Sequence, residues 1–384
     1  MVFVMALFSL LAWLGLTFFH GQFWIGGPWL RRGLKARRWK NGLPAVAVIV
    51  PARDEAASIS ACLSSLLGQD YQGRYHVFLV DDESTDGTGD IARRVPDPQG
   101  RLTVLDGKPH PAGWSGKLWA VGQGQEEALE FLPADGYILL TDADIVHKED
   151  HVSSLVERAQ SENIDMVSEM VKLNCACFWE KVFVPAFVYF FAMLYPFRRI
   201  ADPQSPVAGA AGGTVLIRRK MLEMIGGIQT LRDALIDDCT LGVRVKEAGG
   251  RLYLGCSEQA WSIRTYQTLG EIWHMIARNA YVQLEFSPWN LLKALAGMVL
   301  IWFLPVRLLL FGRGKNRVVG GCAYALSCIT FMPTLRWFNL SWWRVLSLPL
   351  VAAFYMMATV GSAVNHYRGK GVSWRGRSYE GAES

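Results

Sequence analysis

The sequence predicts an α/β protein built on a doubly wound, mostly parallel sheet, with apolar helical segments at both ends of the chain. Three observations predict this. Unbroken apolar runs at 45–51, 78–80 and 137–140 read as buried parallel strands. Stretches of helical spacing separate them, and the order strand, helix, strand, helix, strand is that of parallel crossovers. The chain ends, by contrast, are long apolar stretches poor in charge.

The first run ends at Pro51 and leads into Ala52, Arg53, Asp54 and Glu55. Residues 58–67 then carry Ile59, Cys62, Leu63, Leu66 and Leu67 on one helical face. The second run leads into Asp81, Asp82, Glu83, Ser84, Thr85, Asp86, Gly87 and Thr88. The Asp86-Gly87 pair is a turn signal, so Asp86 is expected to be structural. A Gly-rich turn at Gly113 and Gly116 opens a second helical stretch over 118–132. Lys117 stands at its start, where it and the helix N-terminus could meet phosphates, although a lone Lys is more often a solvated surface charge.

The third run ends in Thr141, Asp142, Ala143 and Asp144. Side chains two apart on an extended chain share a face, roughly 7 Å apart at Cα. Two hard oxygen ligands so placed suit Mg²⁺ or Mn²⁺, which take one or two carboxylates and complete their shell with substrate phosphates. That points to a nucleotide diphosphate. By itself an Asp-x-Asp is more often a solvated turn or a helix cap than a metal site. Its company decides, because ligands in open α/β sheets sit beyond the carboxyl ends of the strands, where all three acidic clusters fall. Residues 240–245 also look helical, so Asp237 and Asp238 fit a helix start, a place that favours acids in any case.

These residues resemble family 2 glycosyltransferases. Val50 to Glu55, the Val-Asp-Asp-x-Ser-x-Asp-Gly-Thr of 80–88, and Asp142-Ala143-Asp144 follow that family's order and spacing. The small-residue turn and strand at 209–218 resembles the family's segment beside the donor sugar, placing Gly212 and Gly213 there. The family's Glu-Asp-x-x-Leu-Gly motif matches at 237–242, with Asp237 in place of the Glu and Asp238 as the catalytic base. Arg278 lies where processive and lipid-modifying members carry Gln-x-x-Arg-Trp near the diphosphate, but Met275 and Asn279 replace the Gln and Trp. Segments 113–120, 21–24 and 374–379 further resemble the hopanoid-associated branch.

The resemblance implies the GT-A fold and an inverting transfer. Asp142 and Asp144 would hold Mg²⁺ or Mn²⁺ against the leaving diphosphate, and Asp238, with Asp237 beside it, would take the acceptor's proton. Pro51, Asp54, Glu55, Asp81 and Asp82 would line the nucleoside end of the donor site, carboxylates being acceptors for a uracil N–H or ribose hydroxyls. Lys117, Asp142, Gly212, Gly213 and Arg278 would complete the nucleotide-sugar site.

Composition agrees with a membrane enzyme: 384 residues, 51% hydrophobic, 15 Trp and 19% charged, against roughly 25% charged in a typical soluble chain. Residues 1–25 lack Lys, Arg, Asp and Glu and are followed by Arg31, Arg32, Lys35, Arg37, Arg38 and Lys40. An uncharged start with a basic exit predicts an uncleaved spanning anchor and a cytoplasmic catalytic domain. Segments 291–311, 318–338 and 345–364 are further candidate spans. Three crossings would put the basic tail outside, against the positive-inside bias, so either one segment is re-entrant or the tail breaks the rule. The aromatic stretch 178–197 contains Glu180, Lys181 and Pro185, and suits either an interfacial helix or core packing.

The expected organisation is an anchor at 1–28, a basic linker at 29–44, a catalytic domain at 45–270, an amphipathic segment at 271–288, membrane helices at 289–365 and a basic tail at 366–384. The net charge of +5 clusters beside the apolar segments, which suits anionic lipid and excludes a nucleic-acid binder. Seven scattered Cys without Cys-x-x-Cys spacing predict reduced thiols. The sequence therefore predicts a multi-pass inner-membrane transferase moving one sugar from a nucleotide diphosphate sugar, a UDP-sugar, to a hydroxyl of a membrane lipid such as a hopanoid or other polyisoprenoid. A polyprenyl-phosphate transferase, a short polysaccharide synthase and a non-catalytic scaffold are the rival expectations.

Overall fold

The structure, a computed structural model, describes residues 2–27, 42–369, 373–374 and 377–378. The basic residues Arg31 to Lys40, and Lys370, Arg375, Gly376 and Tyr379 of the tail, lie outside the described residues. The chain forms two compact units, one of Gly27–Leu173, Arg199–Arg264 and Ser373–Ser384, the other of Met1–Gly26, Asn174–Arg198 and Thr265–Val372. The 45–270 segment is thus interrupted, because the apolar helix Phe178–Leu194 packs with the other apolar helices.

The first unit is a layered α/β fold. Its strands are β1 (Val46–Ala52), β2 (Tyr75–Asp81), β3 (Leu102–Asp106), β4 (Tyr137–Thr141), β5 (Ile145–His147), β6 (Met166–Lys172), β7 (Thr214–Arg218) and β8 (Leu252–Ser262). They form one sheet in the order β3-β2-β1-β4-β7-β6-β8-β5. The pairs β3/β2, β2/β1, β1/β4 and β6/β8 are parallel, while β7 runs antiparallel to both neighbours and β5 antiparallel to β8. Register places Ala52 beside Asp81, and Thr141 opposite Thr214. The ends of β1, β2 and β4 and the start of β7 therefore share one edge of the sheet.

Helices α1 (Ile59–Leu67), α2 (Thr88–Arg93), α3 (Gly116–Phe131), α4 (His151–Ser161), α5 (Arg219–Met224) and α6 (Asp237–Glu247) complete the unit. Alternate residues Val46, Val48 and Val50 of β1 join Val77 and Leu79, Tyr137 and Leu139, and Ile59, Leu63 and Leu66 in one buried core. Each such side chain contributes roughly 1.5–3 kcal/mol on burial. On the opposite face α3 lies close against the sheet because Gly124 has no Cβ; one built there would stand 2.5 Å from Ile49 Cγ2.

The second unit is helical. Helices Pro288–Phe311, Lys315–Trp337 and Trp342–Tyr367 are long and apolar enough to cross a membrane. The first contains a π-helical turn, Val299–Phe303, just before Pro305. Pro305 has no N–H to offer the Ile301 carbonyl. Trp13 Nε1 donates to that carbonyl at 2.8 Å, and Ser9 Oγ donates to Leu300 O at 2.8 Å. Side chains of the N-terminal helix thus satisfy the carbonyls that the irregular turn frees, as an apolar surrounding demands.

The N-terminal apolar helix is shorter than the apolar stretch 1–25. It covers Val2–Phe18, 17 residues, about 26 Å at 1.5 Å per residue against roughly 30 Å of hydrocarbon. The helix ends because Gly21 (φ 61°) and Gln22 (φ 50°) take left-handed conformations, and the chain turns through Phe23–Ile25.

Phe178–Leu194 packs as core of this unit. Phe183 meets Phe354 at 4.4 Å between ring centroids, Tyr189 meets Trp302 and Phe331, and Phe190 meets Tyr355. Glu180 caps the helix, accepting from the amides of Ala176, Cys177 and Tyr266 at 2.7–2.9 Å. Helix Leu269–Ala280 is amphipathic, burying Ile272, Ile276 and Ala277. The end of the last helix returns to the segment that precedes Pro288: Tyr367 and Tyr281 hydroxyls are 2.9 Å apart, and the His366 ring stacks on Phe286 at 4.4 Å.

Candidate active site

Helix α3 starts where Ser115 Oγ accepts from Leu118 N at 3.2 Å, after a turn with Gly113 at φ 80°. Lys117, in the first turn, points its ammonium between two acids from distant parts of the chain. Nζ lies 3.0 Å from Asp142 Oδ1 and 3.1 Å from Asp237 Oδ2, and the side chain is 18% exposed. Burial alone would lower the lysine's pKa, but Asp142 and Asp237 outweigh it and hold the group above the ordinary lysine value. Two of its three N–H donors face these acids, leaving one for a further ligand. Asp142 itself is pushed up by burial, against the opposing pull of Lys117.

Asp237 and Asp238 occupy the first turn of α6, where the helix dipole favours negative charge. Cys239 N donates to Asp238 Oδ1 and Gly212 N to Oδ2, each at 2.7 Å. Burial, and then the charge of Asp237, raise the Asp238 pKa to about 6 in spite of these bonds and Lys117. The helix seats against the preceding loop through Gly242, where a Cβ would stand 2.8 Å from the Gly209 backbone. Pro51, Lys117, Thr141, Asp142, Gly212, Asp237 and Asp238 line one cleft, together with the apolar Leu118, Val121, Leu140, Val215, Ile228, Leu231 and Leu241.

Asp144 forms a second cluster. It is 7% exposed, and its Oδ2 accepts from Ser262 Oγ at 2.7 Å and Arg264 Nε at 3.1 Å. Arg264 Nη2 donates to Glu55 Oε1 at 2.6 Å, and Ser58 Oγ to Glu55 Oε2 at 2.9 Å. Among the described residues no group of three or more His, Cys, Asp or Glu converges as a metal cage. The contacts of the two Asp-x-Asp acids among the described residues fall on Asp142 Oδ1 and Asp144 Oδ2, so that one further oxygen of each would be the donor pair. Two carboxylate oxygens fit Mg²⁺ or Mn²⁺ held jointly with a substrate's phosphates.

The remaining acids of the strand ends brace one another. Asp54, at φ 49°, accepts from Thr85 N at 2.8 Å, and its own N–H donates to Ser84 Oγ at 3.0 Å. Asp81 Oδ1 accepts from Ser84 N at 3.2 Å, while Asp82 is fully buried with Arg53 Nη1 at 3.6 Å. Asp86 accepts from the amides of Ala56 and Thr88 and from the Thr88 hydroxyl, bonds that outweigh burial and lower its pKa. Gly213 lies beside Val171, whose Cγ2 a Cβ would meet at 2.8 Å. Arg278 is exposed on Leu269–Ala280 of the helical unit.

Sequence reasoning missed Arg264, which sits in no motif, and gave no role to Arg53, which lies inside the Val50–Glu55 motif. It also missed a buried relay behind the Asp142 turn. Thr141 Oγ1 donates to Gly213 O at 2.9 Å and lies 3.1 Å from His147 Nε2; His147 Nδ1 and His151 Nδ1 are 2.8 Å apart, and His151 Nε2 lies 2.8 Å from Glu169 Oε2. Burial, then His151, drive the His147 pKa well down. The spacing from His147, at the end of β5, to His151, at the start of α4, was the available signal.

A sheet whose strand ends carry an Asp-x-Asp turn, facing an acid pair on a helix, is the GT-A glycosyltransferase fold. Comparison with known proteins agrees. The profile of glycosyl transferase family 2 matches residues 47–226, and that of glycosyl transferase family group 2 matches 137–360, more than half of the chain. The chain belongs to this glycosyltransferase family group. It is 33% identical over 94 residues to glycosyltransferase AglE of Haloferax volcanii, covering 24% of this chain and 31% of that protein. It is 25% identical over 282 residues to a beta-monoglucosyldiacylglycerol synthase of Nostoc sp., covering 69% of this chain and 58% of that one. The matches thus span less than two thirds of either relative's own length. A mannosyltransferase of Pyrobaculum calidifontis, solved with GDP-mannose and Mn²⁺, has the same fold: TM-score 0.55, 18% identity, 95% of this chain and 99% of that one covered.

Proposed function

We propose that this chain is a membrane-bound inverting glycosyltransferase that moves one sugar from a nucleotide diphosphate sugar to a hydroxyl of a membrane lipid. The observation that carries the reading is the convergence on Lys117: the first acid of the Asp-x-Asp and Asp237 of α6 meet at one ammonium, in a cleft that Asp238 also lines.

The acceptor hydroxyl oxygen bonds to the anomeric carbon as the bond from that carbon to the diphosphate oxygen breaks, and the hydroxyl proton passes to Asp238. A carboxylate with a pKa near 6 is well matched to this task at neutral pH. Lys117, with one N–H to spare, offers its charge to the departing diphosphate. Asp142 and Asp144 would hold Mg²⁺ or Mn²⁺, which supplies Lewis-acid stabilisation of the leaving group when bound. Glu55 receives the nucleoside, with Asp54, Asp81 and Asp82 holding the loops around it. Gly212 and Gly213 let the chain approach the sugar closely, their amide edge also fixing Asp238. Arg278 belongs to the helical unit, and its assignment to the diphosphate rests on the sequence resemblance.

A lipid acceptor is supported by the three long apolar helices and by the name of the glucosyldiacylglycerol synthase relative. A UDP-sugar donor and a hopanoid or other polyisoprenoid acceptor rest on the sequence resemblance. The helical unit would sit in the inner membrane with the catalytic unit cytoplasmic. The contacts of Tyr367 with Tyr281 and of His366 with Phe286 favour an even number of crossings between residues 286 and 366, so that one of the three helices enters and leaves on the same side.

The test is turnover of UDP- and GDP-sugars by purified protein with extracted membrane lipid and Mg²⁺ or Mn²⁺. A new glycolipid, abolished by Asp144→Ala and Asp238→Asn, is the expected result. Bound nucleotide with no glycolipid from any donor would leave a binding scaffold.

A further inference from the structure

We propose that Arg264 is a positioning residue that ties the nucleoside end of the donor site to its metal end. This rests on the donor-site reading above. Its guanidinium bonds two acids from different strand ends, Nε to Asp144 Oδ2 at 3.1 Å and Nη2 to Glu55 Oε1 at 2.6 Å. Glu55, beyond β1, is 9% exposed, and Asp144, between β4 and β5, is 7% exposed. Buried carboxylates need a partner charge or hydrogen bonds to stay ionised.

The segment that carries Arg264 holds Asp144 by two further atoms. Ser262 Oγ donates to Asp144 Oδ2 at 2.7 Å, and Ile263 N donates to the Asp144 carbonyl at 2.9 Å. Asp144 is therefore held by three successive residues at the end of β8, and its Oδ1 is left for a ligand. The planar fork of an arginine reaches two acceptors at once, whereas a lysine presents one compact ammonium. One cation shared by two carboxylates also leaves the cluster with negative charge for an incoming cation to neutralise.

The consequence is linkage. Replacing Arg264 removes a contact from Glu55 and from Asp144 at once, so nucleoside affinity and cation affinity fall in the same variant. The experiment measures UDP and GDP binding without metal by calorimetry, and Mn²⁺ binding without nucleotide by electron paramagnetic resonance. It compares wild type, Arg264→Lys, Arg264→Gln, Glu55→Gln and the Arg264→Lys/Glu55→Gln pair. Arg264→Lys, which keeps the charge and guards against a folding defect in Arg264→Gln, is expected to weaken nucleotide binding about tenfold, the loss of one charge-assisted hydrogen bond. Its Mn²⁺ affinity should fall as well. The double variant should bind nucleotide no more weakly than Glu55→Gln alone, because Arg264 acts on the nucleoside through Glu55. Wild-type affinities in Arg264→Lys, or strictly additive losses in the pair, overturn the proposal while leaving the donor site standing. A wild-type protein that binds neither nucleotide nor Mn²⁺, singly or with both present, overturns the donor-site reading and this inference with it.

Discussion

The Lys117 ammonium lies 3.1 Å from Asp237 Oδ2, joining the first turn of α3 to the first turn of α6. With Asp142 Oδ1 at 3.0 Å on its other side, Lys117 is the hinge of the cleft's charge balance. Lys117→Met removes the cation between Asp142 and Asp237 and with it a donor facing the leaving group. Turnover is expected to fall by about 10²–10³, the scale of losing one preorganised electrostatic donor. Lys117→Arg should recover part of it. Steady-state rates of nucleotide release on the two variants check this.

The Asp238 pKa of about 6 sets the acid limb of the rate profile. As general base it must be ionised, so kcat/KM should fall with unit slope below pH 6 and level off above it. The same shift acts on stability. The folded pKa lies above the ordinary 3.8, so the folded state is favoured fully below 3.8, and that contribution is lost as pH rises through about 6. At pH 8 the buried charge costs roughly 3 kcal/mol at most, two pKa units. Asp238→Asn should therefore raise the melting temperature at pH 8 and leave it little changed at pH 4, by thermal unfolding at both pH values.

Gly242 lies against the Gly209 backbone, and a Cβ there at 2.8 Å has only backbone to displace. Gly242→Ala should cost about 1–3 kcal/mol as overpacking. It should also move α6 away from the Gly212 amide that holds Asp238. A drop in kcat that exceeds any change in nucleotide affinity is the expected signature.

The contacts of Tyr281 with Tyr367 and of Phe286 with His366 predict that Glu285 and Arg368 lie on the same face of the membrane. Single cysteines at Glu285→Cys and Arg368→Cys, in a background cleared of the native thiols, should react with an impermeant maleimide from the same side in oriented vesicles. Labelling from opposite sides would mean an odd number of crossings.

What the sequence disclosed follows physical locality. The strands at 45–51, 78–80 and 137–140 are legible because a parallel strand buried on both faces is an unbroken apolar run, and each is found in β1, β2 or β4. Asp86 is legible as a turn residue because its bonds to the Thr88 amide and hydroxyl close the turn in which it sits. Arg264 is invisible in the sequence, since its partners Glu55 and Asp144 come from strands that only the folded sheet brings near. The end of the N-terminal helix at Phe18 was illegible for another reason: apolar composition runs on to Ile25, and only the left-handed Gly21 and Gln22 stop it. Likewise Glu180 reads as a charge that spoils an apolar helix, yet it caps that helix through three amides, one of them Tyr266 N from far along the chain.

The central claim is that Asp238 is the base of a sugar transfer in the Lys117 cleft, and the most direct measurement is single-turnover glycolipid formation by Asp238→Asn beside its affinity for the donor. The substitution keeps the shape and a hydrogen-bond acceptor for the Gly212 or Cys239 amide, but cannot take a proton at neutral pH. We predict a rate lower by at least about 10³ with donor affinity changed by less than about threefold, as expected for removing a general base. Wild-type turnover in Asp238→Asn would contradict the account and move the base elsewhere in the cleft.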